Sequence, residues 1–354
     1  MNISFTKSGR LKPKPSSEGL GFGKLTTDYM FIMDYDAGRG WYDPKIVPYS
    51  PIPLDPSTCV LHYGQGIFEG LKAYRSPDGR VLLFRPDENA RRLNNSCDRT
   101  CIPPLDENDI LEAITELVRL EKDWIPSAEG TSLYIRPFII ATDPFLGVHP
   151  SRTYMFIIIL GPVGNYYPTG INPIKILVED EYVRAVAGGT GEAKTMGNYA
   201  ASLKAQDKAE KLGCIQVLWL DGIHRKYVEE VGSMNVFFKI GGKIITPALS
   251  GSILPGITRM SSIELLSKHG YDVEERALSI DEILHAHKTG TLEESFGTGT
   301  AAVISPIGEL LYKGSNYSIN NGRIGTVTSM LYDTLTGIQS GRLPDEFGWT
   351  FEVK

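Results

Sequence analysis

Two runs, at residues 132–140 and 153–160, are almost continuously apolar. Apolar stretches of that length, bounded by turn residues, read as central β-strands and not as half-exposed ones. The rest of the first half also leans to strand, at 29–33 and 80–84. Two helices interrupt it, one opened by Pro86 after Arg85, the other over about 108–124 with one apolar face. The second half mixes the two types. Strands are expected at 174–178, 214–220, 234–240, 292–296 and 301–304, and helices at 199–212, 256–269 and 323–338. This mixture points to an α+β class. A chain of 354 residues is long for one core. The turn-rich stretch 161–170 offers a connection. The expected division is a small N-terminal domain, 1–163, an interdomain loop, 164–174, and a larger C-terminal domain, 175–354.

Charge and composition exclude several classes of partner. The net charge is −6 and no basic run stands out, which argues against nucleic acid. The longest apolar run, 154–160, is far too short to span a bilayer. Residues 1–24 are polar and hold Pro13 and Pro15, so they read as a loose arm and not as a signal peptide; a cytoplasmic location is expected. Four cysteines make no disulfide framework in a chain of this length. Cys97 and Cys101, with Leu93, fall on one helix face and read as core packing; the histidines form no ligand set, and no metal is expected.

Chemistry concentrates around one amine. Lys194 follows Gly188-Gly189-Thr190-Gly191-Glu192-Ala193, and helical spacing begins after it. Such an amine can grip a phosphate, form a Schiff base with a carbonyl, or sit on the surface. A phosphate-wrapping P-loop needs glycine immediately before the lysine, where Ala193 stands, and a strand directly before Gly188, which is missing. Other segments suit anions or protons. Leu254-Pro255-Gly256-Ile257-Thr258-Arg259 opens a helix, whose free N–H groups suit a phosphate. Gly297-Thr298-Gly299-Thr300-Ala301 is a small-residue turn that can form a backbone nest. Glu229 and Glu230 precede an apolar strand; a solvated strand end is the simpler reading for Glu229. Tyr134 and Arg136 share one face of a strand, and two polar groups there call for a pocket.

The order of these motifs resembles the branched-chain-amino-acid aminotransferases, fold type IV of the pyridoxal-phosphate enzymes. The likeness runs from about Phe22 to Val353. It is most specific at 61–70, 83–86, 132–137, 194–199, 230–235, 254–259 and 296–301. The resemblance implies a two-domain fold type IV architecture with pyridoxal 5'-phosphate as cofactor. It implies that Lys194 is the Schiff-base lysine, catalytic as well as cofactor-binding. Arg85, the backbone amides of Ile257 and Thr258, and Thr298 would hold the phosphate. Glu230 would pair with the pyridine nitrogen and Tyr199 with the ring's phenolic oxygen. Thr300 and Ala301 would take the substrate α-carboxylate. Phe22, Tyr63, Phe68 and Tyr134 would wall an apolar side-chain pocket, with Arg136 and Tyr63 as candidates for the distal carboxylate of glutamate. A homodimer is implied, with Leu146 and Val148 completing the neighbour's pocket and Tyr166 covering the substrate. The reaction implied is reversible, ping-pong transfer of the amino group of L-leucine, L-isoleucine or L-valine to 2-oxoglutarate. D-amino-acid aminotransferases and aminodeoxychorismate lyases, which share the fold, are the alternatives, with a nucleotide-binding protein further off. One departure concerns redox control: the positions of the animal C-x-x-C are Ala302 and Ser305, so no thiol switch is expected there.

Overall fold

The computed structural model describes residues 1–16, 19–164 and 171–354. The chain forms two compact units. The first comprises Met1–Pro168, Ala193–Met196 and Gly337–Lys354; the second comprises Thr169–Glu192 and Gly197–Thr336. The units are therefore discontinuous along the chain, where the turn-residue pattern suggested one linear boundary. The lysine-bearing segment and the C-terminus both belong with the first unit.

Strands of the first unit are β1 (Ser4–Phe5), β2 (Tyr29–Asp36), β3 (Gly40–Pro48), β4 (Gly66–Phe68), β5 (Leu71–Arg75), β6 (Val81–Phe84), β7 (Ser132–Ala141) and β8 (Thr153–Val163). Those of the second are β9 (Ile174–Glu179), β10 (Gln216–Leu220), β11 (Val228–Val231), β12 (Met234–Ile240), β13 (Lys243–Thr246), β14 (Val273–Glu275), β15 (Leu292–Gly299), β16 (Val303–Tyr312) and β17 (Ser315–Ser318). A last strand, β18 (Thr350–Val353), returns to the first unit. The helices are α1 (Cys59–Tyr63), α2 (Pro86–Arg99), α3 (Glu107–Leu120), α4 (Met196–Lys211), α5 (Ile257–Lys268), α6 (Ile280–Thr289) and α7 (Thr326–Gln339).

In the first sheet the order is β1-β3-β2-β8-β7-β5-β6-β18, and β4 pairs with β7. The two apolar runs are β7 and β8, antiparallel neighbours at its centre. Their buried residues, among them Leu133, Ile135, Phe156 and Ile158, join Leu93 of α2 and Ile114 and Leu117 of α3 in one core. Helix α2 starts where Pro86 stands in the first turn, with Asp87 and Glu88 at its positive end. The Asp106 side chain caps α3 by accepting the Asn108 N–H at 2.8 Å. Cys97 is buried in the core, but Cys101 lies beyond the end of α2, exposed and at φ 55°. The expected common face therefore fails at its last member.

The N-terminal arm is not loose. Ser4 and Phe5 pair in parallel with Lys45 and Ile46, and the terminal ammonium meets Glu112 and Asp109 of α3. Further along, Lys14 pairs with the buried Asp28 at 2.6 Å. Behind that pair lies Glu121, 3% exposed, which accepts the Tyr29 N–H at 2.6 Å. Burial above all, and then the neighbouring Asp28 charge, push the Glu121 carboxyl up to about 7 against the opposing Tyr29 amide, Lys14 and Thr27. A raised folded-state value means that the folded chain holds the extra proton. The stabilisation from this group is complete below the ordinary value of 4.5 and is lost as pH rises through about 7. Glu121→Gln is expected to reduce the drop in urea midpoint between about pH 5 and about pH 8. An unchanged drop would show that Glu121 does not titrate in that window.

Strand order in the second sheet is β11-β10-β9-β16-β15-β12-β13-β14, with β17 on β16. Strand β11 also pairs with β12, so the strands from β11 to β12 along this order close on themselves. The parallel pair β9–β10 is joined by α4, whose Ala205 and Ala209 pack with Leu177, Val217 and Trp219. Small residues on α4 let the helix approach that pair closely. Among the described residues no helix is long and apolar enough to cross a membrane.

Candidate active site

In the first unit Lys194 is held by backbone. Its carbonyl accepts the Phe68 N–H at 3.0 Å, and Thr195 bridges Ile67. The lysine segment thus lies along the free edge of β4, whose other edge pairs with β7. The Lys194 N–H donates to Ser96 Oγ of α2 at 2.9 Å. Its Nζ lies 4.9 Å from the centre of the Phe68 ring.

The same ring carries a second cation. The Arg136 guanidinium lies 4.5 Å from the Phe68 ring centre, and its Nη2 donates to Tyr134 Oη at 3.0 Å. The Arg136 Nε is buried and has no hydrogen-bond partner. A buried N–H of a charged group without a partner costs about 1–3 kcal/mol or more, so it marks a place for an acceptor. Phe22 packs edge-on against Tyr134 at 4.9 Å between centres. Gly70 makes room for that phenol: a Cβ there would lie 2.2 Å from Tyr134 Oη. Tyr134, Arg136, Phe68, Phe22 and Lys194 therefore form one cluster, with Tyr134 and Arg136 on a common strand face as the alternation of β7 requires.

Arg85 stands at φ 46°, between the end of β6 and the start of α2. Its N–H donates to the Trp349 carbonyl at 2.7 Å, and its guanidinium lies 5.3 Å from the Trp349 ring centre. Trp349 leads into β18, which pairs antiparallel with β6. The C-terminus thus positions this arginine, a contact that nothing in local periodicity signals. Tyr63 on α1, with Leu146 and Val148 in the loop after β7, is largely exposed within one chain. Cys59 next to them ties α1 to that loop through a bond from its N–H to the Asp143 carbonyl at 2.9 Å. Tyr166 lies outside the described residues.

In the second unit Glu230 sits on β11, 3% exposed. Its Oε1 accepts the Leu254 N–H at 2.9 Å, and its Oε2 meets Arg184 Nε at 2.8 Å. That second contact is a charge contact, not an aligned hydrogen bond, since Nε has no hydrogen-bond partner. The Arg184 Nη2 donates instead to the carbonyls of Ser252 and Gly191. Gly191 has no room for a side chain; a Cβ would lie 2.1 Å from the Ser252 carbonyl oxygen. Glu229 is buried as well, bonded by the Ser252 hydroxyl. Burial raises its carboxyl against that hydroxyl and the Arg184 charge. The expected solvated strand end does not hold, because Glu229 and Glu230 both face partners from the 252–254 loop.

Helix α5 opens at Ile257 and Thr258, both buried, with no side chain capping it. A side chain at its N-cap Gly256 would displace Asn235, since a Cβ would lie 2.0 Å from Asn235 Oδ1. Asn235 in turn donates to the Leu254 carbonyl at 2.9 Å. Helix α5 packs on β15, which carries Thr298. The Thr298 hydroxyl is buried and has no hydrogen-bond partner. Uncapped helix N–H groups and an unmatched buried hydroxyl on a packed neighbour suit a phosphate. Thr300 and Ala301, half-buried, form the turn from β15 to β16, and Tyr199 is half-buried on α4. Strand β9 ends at Glu179, well before Gly188, so a P-loop has no strand to spring from.

A family model for amino-transferase class IV matches residues 66–310. Branched-chain-amino-acid aminotransferase 2 of Bacillus subtilis (strain 168) is 64% identical, the alignment covering 97% of this chain and 94% of that protein. Among solved structures, a branched-chain amino acid aminotransferase of Escherichia coli superposes with a TM-score of 0.77 at 28% identity, over 92% of this chain and 99% of that one. A second solved branched-chain amino acid aminotransferase, complexed with N-(5'-phosphopyridoxyl)-L-glutamate, gives a TM-score of 0.72 at 27% identity, over 91% of this chain and 98% of that one. This chain belongs to the class IV aminotransferases, an α+β family.

Proposed function

We propose that this protein reversibly transfers the amino group of L-leucine, L-isoleucine or L-valine to 2-oxoglutarate, giving the branched-chain 2-oxo acid and L-glutamate. The observation that carries this reading is the 64% identity, along nearly the full length of both chains, with the Bacillus subtilis branched-chain-amino-acid aminotransferase 2. The lysine held beside the Phe68 ring supplies the amine such a reaction needs. Pyridoxal 5'-phosphate, when bound, supplies the carbonyl that accepts the amino group and the ring that accepts electrons, so the two substrates react in turn.

The chain's own groups fit that cofactor. Lys194 Nζ would be its attachment point, and would take the proton from the substrate Cα as base and hand it on to the cofactor as acid. Glu230, ion-paired yet buried, would keep a proton on the pyridine nitrogen of the bound cofactor. In the second unit the amides of Ile257 and Thr258 and the Thr298 hydroxyl would hold the phosphate and Tyr199 would orient the ring's oxygen; in the first, Arg85 is the candidate phosphate ligand. The amides of Thr300 and Ala301 take the α-carboxylate. Phe22, Tyr63, Phe68 and Tyr134 shape an apolar pocket. One methylene more or less in such a pocket changes binding by only about 1–3 kcal/mol, so all three branched substrates are accepted. Arg136 takes the distal carboxylate of glutamate, the acceptor its buried Nε lacks. The exposed Phe145, Leu146 and Val148 are the surface on which a second copy docks in a homodimer, within the cytoplasm.

The absorption spectrum of the purified protein, loaded with pyridoxal phosphate, tests this. L-Leucine without an oxo acid should bleach the cofactor's visible band, and 2-oxoglutarate should restore it. Bleaching by D-alanine but not by leucine would move the protein to a different member of the fold class. A protein that stays colourless after incubation with the cofactor overturns the reading.

A further inference from the structure

The pocket wall assigned to Phe22 is borne by a segment with little stiffness of its own. Gly21 and Gly23 flank Phe22 at φ 64° and φ 74°, in the left-handed region that glycine enters at no steric cost. Residues 21–27 nevertheless lie against the first sheet at a defined place. Gly161 of β8 stands directly opposite Tyr134 of β7, and such partners present their side chains to one face. A Cβ at Gly161 would lie 2.3 Å from the Leu25 carbonyl oxygen, so the segment crosses the sheet on the Tyr134 face. Two backbone bonds of 3.0 Å fix it there, from the Gly164 N–H to the Gly21 carbonyl and from the Thr27 N–H to the Leu160 carbonyl. Phe22 falls between these anchors, its ring centre 4.9 Å from that of Tyr134.

The segment ends in a polar clamp. Asp28, 5% exposed, follows Thr27 directly. Its Oδ1 accepts the Lys12 N–H at 2.7 Å; its Oδ2 accepts the Lys14 ammonium at 2.6 Å and the indole N–H of Trp124 at 3.0 Å. Lys12 Nζ donates back to the Thr27 carbonyl at 2.7 Å and to the Thr26 hydroxyl at 3.0 Å. Lys14 Nζ also lies 4.2 Å from the centre of the Trp124 ring, and Trp124 belongs to the core. One carboxylate therefore ties the N-terminal arm, the end of the segment and the core together. Such a buried acceptor is held far more firmly than a surface ion pair. Resting on the aminotransferase reading and on Phe22 as a wall of its pocket, we propose that Asp28 is a positioning residue for the substrate side chain: it fastens residues 21–28, and through them sets Phe22 against Tyr134. Its loss frees one wall of the pocket and weakens the grip on a branched side chain. Lys194, held by the backbone of Phe68 and by Ser96, stays in place.

Asp28→Asn is the test. Whichever way its amide turns, the new N–H₂ meets a donor, either the Lys12 N–H or Lys14 with Trp124. Peptide-resolved hydrogen exchange on the full-length protein should show residues 19–28 exchanging at least about threefold faster, with the β7 peptide 132–141 as in the parent. The half-reaction with L-leucine, followed by the visible band of the protein loaded with pyridoxal phosphate, should half-saturate at about threefold or more higher leucine, its limiting rate staying within about twofold. In a Phe22→Ala background the same change should move half-saturation by less than about twofold, because the wall it positions is gone. A merely structural role gives equal shifts in both backgrounds, or faster exchange in β7 as well. Either result overturns the proposal, and so does unchanged exchange at 19–28 or unchanged half-saturation in Asp28→Asn. Where that variant does not fold by circular dichroism, Lys14→Ala, which removes a side chain 37% exposed, decides by the same readings. Failure of the aminotransferase reading shows separately: leucine then bleaches not even the unmodified protein, whereas exchange at 19–28 still reports whether Asp28 fastens the segment.

Discussion

Lys194→Ala is expected to lower kcat for leucine with 2-oxoglutarate by at least about 10²–10⁴-fold, the range for loss of a positioned acid–base group. No other side chain of the first-unit cluster carries a primary amine: its other members are Phe22, Phe68, Tyr134 and Arg136. The fold should survive the change, because Lys194 is tied in by backbone: its carbonyl to Phe68, its N–H to Ser96. Unfolding midpoints close to the parent's, beside activity near background, would fit this view. Substantial glutamate formation by a folded Lys194→Ala protein would sink the assignment of the lysine, although not the family membership.

Glu230→Ala should act on both stability and activity. It leaves Arg184, whose side chain is 8% exposed, without its counter-charge. Breaking a buried pair in this way costs about 3–5 kcal/mol, far more than an exposed pair is worth. The Leu254 N–H loses its acceptor as well, next to the turn that leads into α5. Glu230→Gln keeps an acceptor for Leu254 and the side chain's volume, so it should destabilise less while, on the role proposed for Glu230, still losing activity. Urea unfolding of the two variants, with kcat measured on each, separates the contributions. Equal stability of Glu230→Ala and the parent would mean that Arg184 is already satisfied by the carbonyls of Ser252 and Gly191.

Much of this architecture was legible in the residues. Continuous apolar runs marked β7 and β8, and Pro86 with two acids marked the start of α2. The helix at α5 and the strand at β12 fell within a residue or so of expectation. Alternation placed Tyr134 and Arg136 on one face, and the structure joins them through a 3.0 Å bond. Less was legible at the N-terminus. Prolines and polar residues suggested a loose arm, but a parallel strand pairing and an ion pair from Met1 to α3 tie it down. Neither contact leaves a local trace, since each joins residues about 40 or more positions apart. The same holds for the polar partners of the site. Arg184 and Trp349 carried no periodic or spacing signal, because a buried polar residue is recognisable only once its partner is known.

By itself, then, the sequence determined the α+β class and the central strands. These follow from local propensity and period, which act over a few residues. Only the tertiary structure decided that the lysine segment runs along the edge of β4, that Ser96 receives its N–H from 98 residues away, and that β18 brings Trp349 beside Arg85. Such pairings are set by which buried groups must find hydrogen-bond and charge partners once the core has closed, and that requirement has no period.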